Sequence, residues 1–180
     1  MKFNRVEPEF DAIDRAILEL LQEDCKQPLA AIGQKVGLKA PAVVERIHKL
    51  EQAGAITGYV ALLYARRLGQ DVAAFIGVST DHPRAISGLE RQVAAIADVL
   101  ECHHVTGAHT LMLKVKTHDT ESLEELIESI RSLAGVARTE TMVVLSTHTE
   151  RYRVNLEDSE EFDARRSRCP GGPRPRRTAK

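Results

Sequence analysis

Four basic residues between positions 33 and 50 are spaced so that they could bind the phosphate groups of a nucleic acid. They are Lys35, Lys39, Arg46 and Lys49, and Glu45 is the only acid in this stretch. A cationic surface binds duplex DNA because each phosphate that it neutralises releases a condensed counterion. A basic helix face is also common on proteins as plain solvated surface. The charge pattern therefore predicts DNA binding only together with the elements that carry it.

Two short amphipathic helices are predicted to carry these residues, with a turn at Gly37-Leu38 between them. Apolar residues recur at helical spacing, as Leu29, Ile32 and Val36 in the first helix and as Val43, Ile47 and Leu50 in the second. Two helices joined by a tight turn that contains glycine form a helix-turn-helix, whose second helix can lie in the DNA major groove. The exposed face of this second helix is expected to present Lys39, Arg46, His48 and Lys49.

A further helix is predicted ahead of this pair. Asp11 is expected to be its N-cap, and Asp14 lies three residues on, near the positive end of the helix dipole. This helix would brace the other two through its apolar residues Ile13, Ile17, Leu20 and Leu21. Gly54 is expected to end the last helix of the three.

The composition is typical of a globular cytoplasmic protein with one medium domain or two small ones. Of 180 residues, 43% are hydrophobic and 28% are charged, and the formal net charge is −1. With so little net charge, any attraction to nucleic acid must be local. No apolar run approaches the length of a membrane span, and the first residues lack a signal-peptide core. The three cysteines, Cys25, Cys102 and Cys169, are widely spaced, which indicates free thiols in a reducing compartment.

The second half of the chain is predicted to alternate strands and helices in the order βαββαβ. Strands are expected at Val72–Ser79, Val99–Thr106, Thr110–Lys116 and Arg138–Leu145, and helices at Arg84–Ala97 and around Leu123–Leu133. This order is the ferredoxin-like split βαβ motif. One face of such a sheet is covered by helices and the other is open, which favours dimerisation.

The chain is therefore predicted to be an α+β protein of two domains with a connector and an extension. Residues 1–58 are expected to form the helix-turn-helix domain, 59–70 a connector strand, 71–148 the ferredoxin-like domain and 149–180 a C-terminal extension. The apolar connector is either a pairing surface for a second copy of the chain or a hinge strand packed on its own domain. From residue 164 the extension holds six arginines and one lysine with no acid, which predicts a disordered basic arm. Such an arm would either add non-specific DNA affinity or be dispensable.

Several spaced motifs, taken in order, resemble the Lrp/AsnC (feast/famine) family of amino-acid-responsive transcription regulators. They are DAIDRAILELLQED at 11–24, RIHKLEQAGAITGY at 46–59, LG at 68–69, HVTGAHTLMLKV at 104–115 and RSLAGVARTETMVVL at 131–145. The resemblance implies a winged-type helix-turn-helix joined to a ferredoxin-like domain for effector binding and oligomerisation. It also implies binding to double-stranded DNA, a small effector such as an amino acid, and homodimers that assemble further, often to octamers.

The predicted DNA contacts follow from placing the second helix of the helix-turn-helix in the major groove. Lys39, Arg46 and Lys49 are expected to hold the DNA backbone, and Ala40, Ala42 and Glu45 to face base edges. Pro28 and Lys39 stand where the family usually has a capping serine or threonine. A missing cap costs about 1 kcal/mol of helix stability, and Lys39 could instead reach a phosphate.

The resemblance places the effector at the turn between the second and third strands and on the last strand. The predicted effector residues are Thr106, Gly107, Ala108, His109, Thr110, Thr139 and Thr141. The family commonly has Gly-x-x-Asp at this turn, but here Thr110 takes the place of the aspartate. An ammonium ligand therefore lacks a charge-assisted partner at that position.

Two alternatives rest on the histidines of the same hairpin. Cys102, His103, His104 and His109 are residue types that bind metals, but they lack a fixed metal-ligand spacing, and neighbours on a strand point to opposite faces. Siroheme decarboxylases share this two-part fold and use histidines to hold a porphyrin. No paired catalytic carboxylates, nucleophile motif or glycine-rich phosphate loop is present. The expectation is a regulator that is not an enzyme, with no catalytic residue, metal or cofactor.

Overall fold

The computed structural model describes residues 10–80 and 86–156, which fall into two compact units. Of the described residues, unit 1 holds 10–60 and 151–156, and unit 2 holds those between Ala61 and Glu150. Residues 61–70 of the predicted connector therefore fall in unit 2, and residues 151–156 of the predicted extension fall in unit 1. The start of the helix predicted at Arg84 and the basic arm predicted from residue 164 lie outside the described residues.

Unit 1 contains the three predicted helices. They are α1 (Ala12–Glu23), α2 (Leu29–Val36) and α3 (Ala40–Gln52). Asp11 caps α1 as expected, and Gly37 follows α2 with a φ of 72°, in the left-handed region where glycine carries no Cβ penalty. Gly54 has the same φ of 72° just after α3. The predicted helix-turn-helix is therefore confirmed.

The core of unit 1 lies where the three helices meet. Its fully buried members are Ile17, Ile32, Val43 and Leu50. Leu29, which the apolar spacing grouped with Ile32 and Val36, is 38% exposed because it is the first residue of α2. Residues 10–60 contain helices and turns but no strand, so the expected wing is not formed within this segment.

Unit 2 has the predicted βαββαβ order around one antiparallel sheet. Its elements are a 3-10 turn at Ala65–Leu68, β1 (Val72–Thr80), α4 (Ile86–Ala94), β2 (Val99–His104), β3 (Leu111–Thr117), α5 (Thr120–Arg131) and β4 (Val136–Val143). The strands lie in the order β2-β3-β1-β4. The last strand begins and ends two residues earlier than predicted, because its pairing with β1 starts at Val136.

The two faces of this sheet differ in what they carry. Alternate residues of the central strands pack under α4 and α5 and form the core of unit 2, among them Ala74, Ile76, Val78, Leu111, Leu113 and Val115. The residues between them point to the other face, which we call the open face; Phe75 on β1 and its β4 partner Met142 are 38% and 43% exposed there. This division decides which of the predicted site residues can act together.

The predicted connector strand is not seen within the single chain. Residues 59–64 form no ladder with any described strand, and the following residues form the 3-10 turn. The side chains of this segment are nevertheless apolar and exposed, with Val60 at 80% and Leu63 at 71%. A strand needs a partner edge for its backbone hydrogen bonds, and the described chain offers none here.

Candidate functional site

Helix α3 begins with an exposed lysine and without a side-chain cap. Lys39 is the N-cap residue, its side chain accepts no capping hydrogen bond, and Pro41 in the first turn has no backbone N–H to offer. Among the described residues the Lys39 ammonium has no ion-pair partner, and the residue is exposed. The positive end of the α3 dipole and a free lysine charge therefore lie together at the start of this helix.

Two basic residues further along α3, His48 and Lys49, contact neighbours on the same helix. Lys49 Nζ lies 3.1 Å from Glu45 Oε1, and both side chains are about 70% exposed. The His48 imidazole lies 2.9 Å from the amide nitrogen of Gln52. An exposed pair of this kind holds its partners only weakly, so Lys49 remains accessible to a phosphate. Ala40 and Ala42 are half-buried on the first turn of the same helix.

Arg46 does not lie on the exposed face as the sequence predicted. Its Nη1 donates to Asp11 Oδ2 and to Asp14 Oδ1, at 2.7 Å each, and its side chain is only 28% exposed. The hydrogen bond from Arg46 lowers the pKa of Asp11, and Asp11 in turn raises the pKa of Arg46. The guanidinium thus bonds to Asp11 and Asp14 at the start of α1, while its contact with the DNA backbone stays a prediction.

The turn predicted to bind an effector is held against β1. Thr110 donates its backbone N–H to Val78 O at 2.8 Å, and its hydroxyl lies 3.3 Å from both the backbone nitrogen and the hydroxyl of Thr80. Gly107 has a φ of 119°, and Thr106, Gly107 and Ala108 are exposed. Thr110 thus makes structural contacts, while the tip of the turn faces solvent.

His109 folds back over the open face of the sheet. Its Nε2 lies 3.4 Å from Glu140 Oε2, its Nδ1 lies 3.4 Å from the Ser79 hydroxyl, and its side chain is 13% exposed. The ring covers Gly77, where a Cβ would come within 2.5 Å of the imidazole. One side of the turn therefore presents an imidazole, a carboxylate and a hydroxyl together.

The predicted effector residues Thr139 and Thr141 lie on the other face of the sheet. Their partners across the ladder are Val78 and Ile76, which point under the helices. Arg131 of α5 donates its Nε hydrogen to the Thr139 hydroxyl at 2.8 Å. Since cross-strand partners share a face, these two threonines do not join His109, and the predicted set is split by the sheet.

The histidines of β2 alternate as the sequence predicted. His103 pairs with Met112 toward the open face, whereas Cys102 and His104 pair with residues of the core face. The His103 imidazole lies 3.0 Å from Glu101, and this hydrogen bond is the main reason that the pKa of Glu101 is lowered. Within residues 10–80 and 86–156, no three His, Cys, Asp or Glu side chains converge as metal ligands.

Sequence reasoning missed four residues that shape these two surfaces. Gly77, Ser79 and Glu140 come next to His109 only through strand register, and no local pattern indicates this. Gly33 is packed so that a Cβ would lie 2.4 Å from Leu38 O, where the turn before α3 approaches α2. A glycine inside a helical pattern was the available signal for that close approach.

The described helices include none that is both long and apolar enough to cross a lipid bilayer.

Comparison with known proteins matches both parts of the chain. The AsnC-type helix-turn-helix domain model matches residues 10–51, and the Lrp/AsnC ligand binding domain model matches residues 73–154. Over 140 residues the chain is 34% identical to the HTH-type transcriptional regulator FL11 of Pyrococcus horikoshii, covering 78% of this chain and 92% of that one. It is 31% identical to the regulatory protein AsnC of Escherichia coli K12, covering 75% and 90%.

Solved structures agree with these sequence matches. The structure of E. coli AsnC superposes with a TM-score of 0.74 at 28% identity, covering 79% of this chain and 97% of that one. The feast or famine regulatory protein from M. tuberculosis, complexed with L-methionine, gives a TM-score of 0.76 at 27% identity, covering 81% and 99%.

Proposed function

Because the chain belongs to the Lrp/AsnC family of DNA-binding transcriptional regulators, we propose that α3 is its recognition helix in the DNA major groove. The observation that carries this assignment is the start of α3. Directly after the left-handed turn at Gly37, the helix presents an exposed lysine and an uncapped N-terminus. Both attract phosphate, and the adjacent first turn then faces the groove.

The contacts within this assignment divide into two kinds. Lys39 and Lys49 supply the backbone contacts, since both ammonium groups are exposed. Ala40, Ala42 and Glu45 face base edges, where the small residues allow close approach and the carboxylate accepts from a cytosine amino group. Arg46 is left out of this set because its guanidinium is bound to Asp11 and Asp14.

The effector is a small molecule, with amino acids as the first class to test. One related structure, the regulator from M. tuberculosis, is complexed with L-methionine. In this chain the exposed tip Thr106–Ala108 and the His109 imidazole form the site, with Glu140 close by to meet an ammonium group in the absence of the turn aspartate. Thr139 and Thr141 contribute only if the ligand also reaches the helix-covered face.

The proposal also includes the assembly of the chain: it forms homodimers, which associate further into a particle such as an octamer. Two apolar surfaces support self-association: the open face with Phe75 and Met142, and the exposed connector 59–64. Large contiguous apolar surfaces are uncommon on monomers and mark interaction sites. A dimer would place two α3 helices on the half-sites of a palindrome. The proposal assigns no catalytic residue, since the named relatives are transcriptional regulators, and it places the protein in the cytoplasm.

The first test measures DNA binding by the full-length chain. A duplex is selected by the protein from a randomised pool, and its affinity is then measured over a range of salt concentrations by fluorescence anisotropy. Lys39→Gln and Lys49→Gln are each expected to weaken binding and to reduce the slope of log affinity against log salt by about one. Lys26→Gln, an equal charge change in the turn before α2, serves as the matched control. Enrichment of no sequence, or lysine variants with unchanged slopes, would contradict the assignment.

A thermal-shift screen tests the effector. The twenty amino acids are screened with zinc and haem alongside, and any ligand that raises the melting temperature is added to the DNA titration. A hit is expected among the amino acids, and His109→Ala and Glu140→Gln should each reduce its shift. A ligand alters DNA affinity only if it prefers one state of the protein. A response to zinc or haem alone would favour the metal or porphyrin interpretation instead.

A further inference from the structure

The two carboxylates that bind Arg46 are also the two that cap helix α1. Asp11 Oδ1 accepts the backbone N–H of Asp14 at 2.8 Å, and Asp14 Oδ2 accepts the backbone N–H of Asp11 at 3.3 Å. The remaining oxygen of each carboxylate accepts from Arg46 Nη1, at 2.7 Å in both cases. All four carboxylate oxygens are therefore used, two for the helix start and two for α3.

This ion triad, Asp11–Arg46–Asp14, joins two helices that also meet through apolar contacts. Ile17 of α1 packs with Val43 and Leu50 of α3 in the core of unit 1. Apolar packing is non-directional, so it fixes the distance between two helices better than the rotation of either one about its axis. Hydrogen bonds between charged groups are directional and about twice as strong as neutral ones.

The direction of the Arg46 side chain has a consequence for DNA recognition. Lys39, Glu45 and Lys49 extend from the same helix into solvent, whereas the guanidinium is drawn to α1. Two carboxylates against one guanidinium leave the triad with a net negative charge at full ionisation. A group in this setting is a poor phosphate ligand, although its type and position suggest one.

We propose that Arg46 is a positioning residue: through Asp11 and Asp14 it sets the rotation of α3 and thereby the direction in which the recognition residues face. The inference rests on the proposed role of α3 in DNA binding. For variants that neutralise Asp11 or Asp14, it predicts a change in DNA affinity opposite to the change that simple electrostatics predicts. Removing a negative charge near DNA normally strengthens binding, but loss of Asp14 or Asp11 would let α3 turn and would weaken it.

The test uses four full-length variants: Arg46→Gln, Asp14→Asn, the double variant of these two, and Asp11→Asn. Asparagine remains a good N-cap residue and keeps one acceptor oxygen, so the start of α1 is preserved. Each single variant is expected to bind the selected duplex about tenfold more weakly. A tenfold change in affinity lies within the range of interaction energies that residues of one charged network contribute. The slope of log affinity against log salt should stay that of the unmodified chain. The double variant should be no worse than Arg46→Gln alone.

Controls separate this inference from the proposed function. Glu19→Gln makes the same charge change on an exposed position of α1 outside the triad and is expected not to weaken binding. Circular dichroism checks that each variant is folded, and Arg46→Lys, which keeps the charge, supplies a second test if Arg46→Gln unfolds: it should keep the full salt slope yet bind more weakly. A salt slope lowered by about one in Arg46→Gln, with stronger binding by Asp14→Asn, would overturn the inference and restore a phosphate contact. If Lys39→Gln and Lys49→Gln leave binding unchanged as well, the role of α3 itself is wrong.

Discussion

At the scale of single residues, the space above Gly77 decides where His109 lies. The imidazole rests on the glycine backbone and from there lies close to Glu140 and Ser79. Any larger residue at position 77 would occupy that space. The position of the His109 ring therefore depends on Gly77, a residue without a side chain and without a recognisable sequence signal.

Gly77→Ala is expected to expel the imidazole, because the new Cβ would lie 2.5 Å from His109 Cδ2 and 2.6 Å from its Cγ. The cost should be about 1–3 kcal/mol in the free energy of unfolding, which is usual for overpacking. Urea-induced unfolding measures it. In a His109→Ala background the obstacle is gone, and the same change should cost little or even stabilise, since alanine is favoured over glycine in a strand. Equal losses in both backgrounds would show that the ring does not occupy this space.

The residue scale is also where sequence reasoning fell short. Helical periodicity placed Arg46 on the outer face of α3, but its partners Asp11 and Asp14 are 35 and 32 positions away. Thr139 and Thr141 were grouped with His109 by position along the motif, whereas the strand register separates them. Local spacing carries no information about contacts between distant segments, so these roles needed the structure.

At the scale of elements, α2 and α3 differ from α1 and α5 in how their N-termini are capped. Asp11 caps α1 and Asp119 caps α5, each through a side-chain hydrogen bond, whereas Pro28 and Lys39 provide none for α2 and α3. The first turns of α2 and α3 are stabilised by tertiary packing of Ile32 and Val43 instead. The starts of α2 and α3 therefore lack the stabilisation of about 1 kcal/mol that a side-chain cap contributes.

Lys39→Ser is expected to raise the stability of the fold while it weakens DNA binding. A serine N-cap can accept the backbone N–H of Ala42 and should raise the free energy of unfolding by about 1 kcal/mol. The lysine charge is lost at the same time, so the salt slope of DNA binding should fall by about one. Thermal unfolding and the anisotropy titration measure the two effects, with Lys39→Gln as the variant that loses the charge without gaining a cap. A serine variant no more stable than the glutamine variant would argue against a vacant cap.

Helices and strands are the features that the sequence predicted best. Apolar spacing placed α1, α2 and α3 correctly, and the predicted βαββαβ order of the second half is the order of the structure. The sequence predicted the ends of β4 less well, and it predicted a connector strand that the structure does not contain, because both depend on which sheet edge a strand pairs with. Strand propensity alone does not specify a partner.

At the scale of the whole molecule, the chain returns to its first unit after completing the second. The Gln22 side-chain amide of α1 bonds Val154 twice, accepting its backbone N–H at 2.6 Å and donating to its carbonyl oxygen at 3.1 Å. Arg153 adds an ion pair with Glu23 at 3.2 Å. The sequence assigned everything beyond residue 148 to an extension, since nothing local indicates that Gln22 will pair with a backbone 132 positions away.

This attachment makes the last described residues part of unit 1. We expect that ending the chain after Glu150 will loosen the last turn of α1 by the net value of the two hydrogen bonds, about 1–3 kcal/mol together. Hydrogen exchange of the amides in that turn should then accelerate roughly five- to a hundredfold. A chain ended after Leu156 keeps the attachment and is the matched control; its α1 amides should exchange as in the full chain. Gln22→Ala should reproduce most of the effect of the shorter chain, because it removes both bonds to Val154 and keeps only the exposed Arg153–Glu23 ion pair, which contributes little. Introduced into the shorter chain, it should have no further effect. If α1 exchanges alike in all of these proteins, the contacts of Val154 and Arg153 do not stabilise the helix, and unit 1 ends where the sequence placed its boundary.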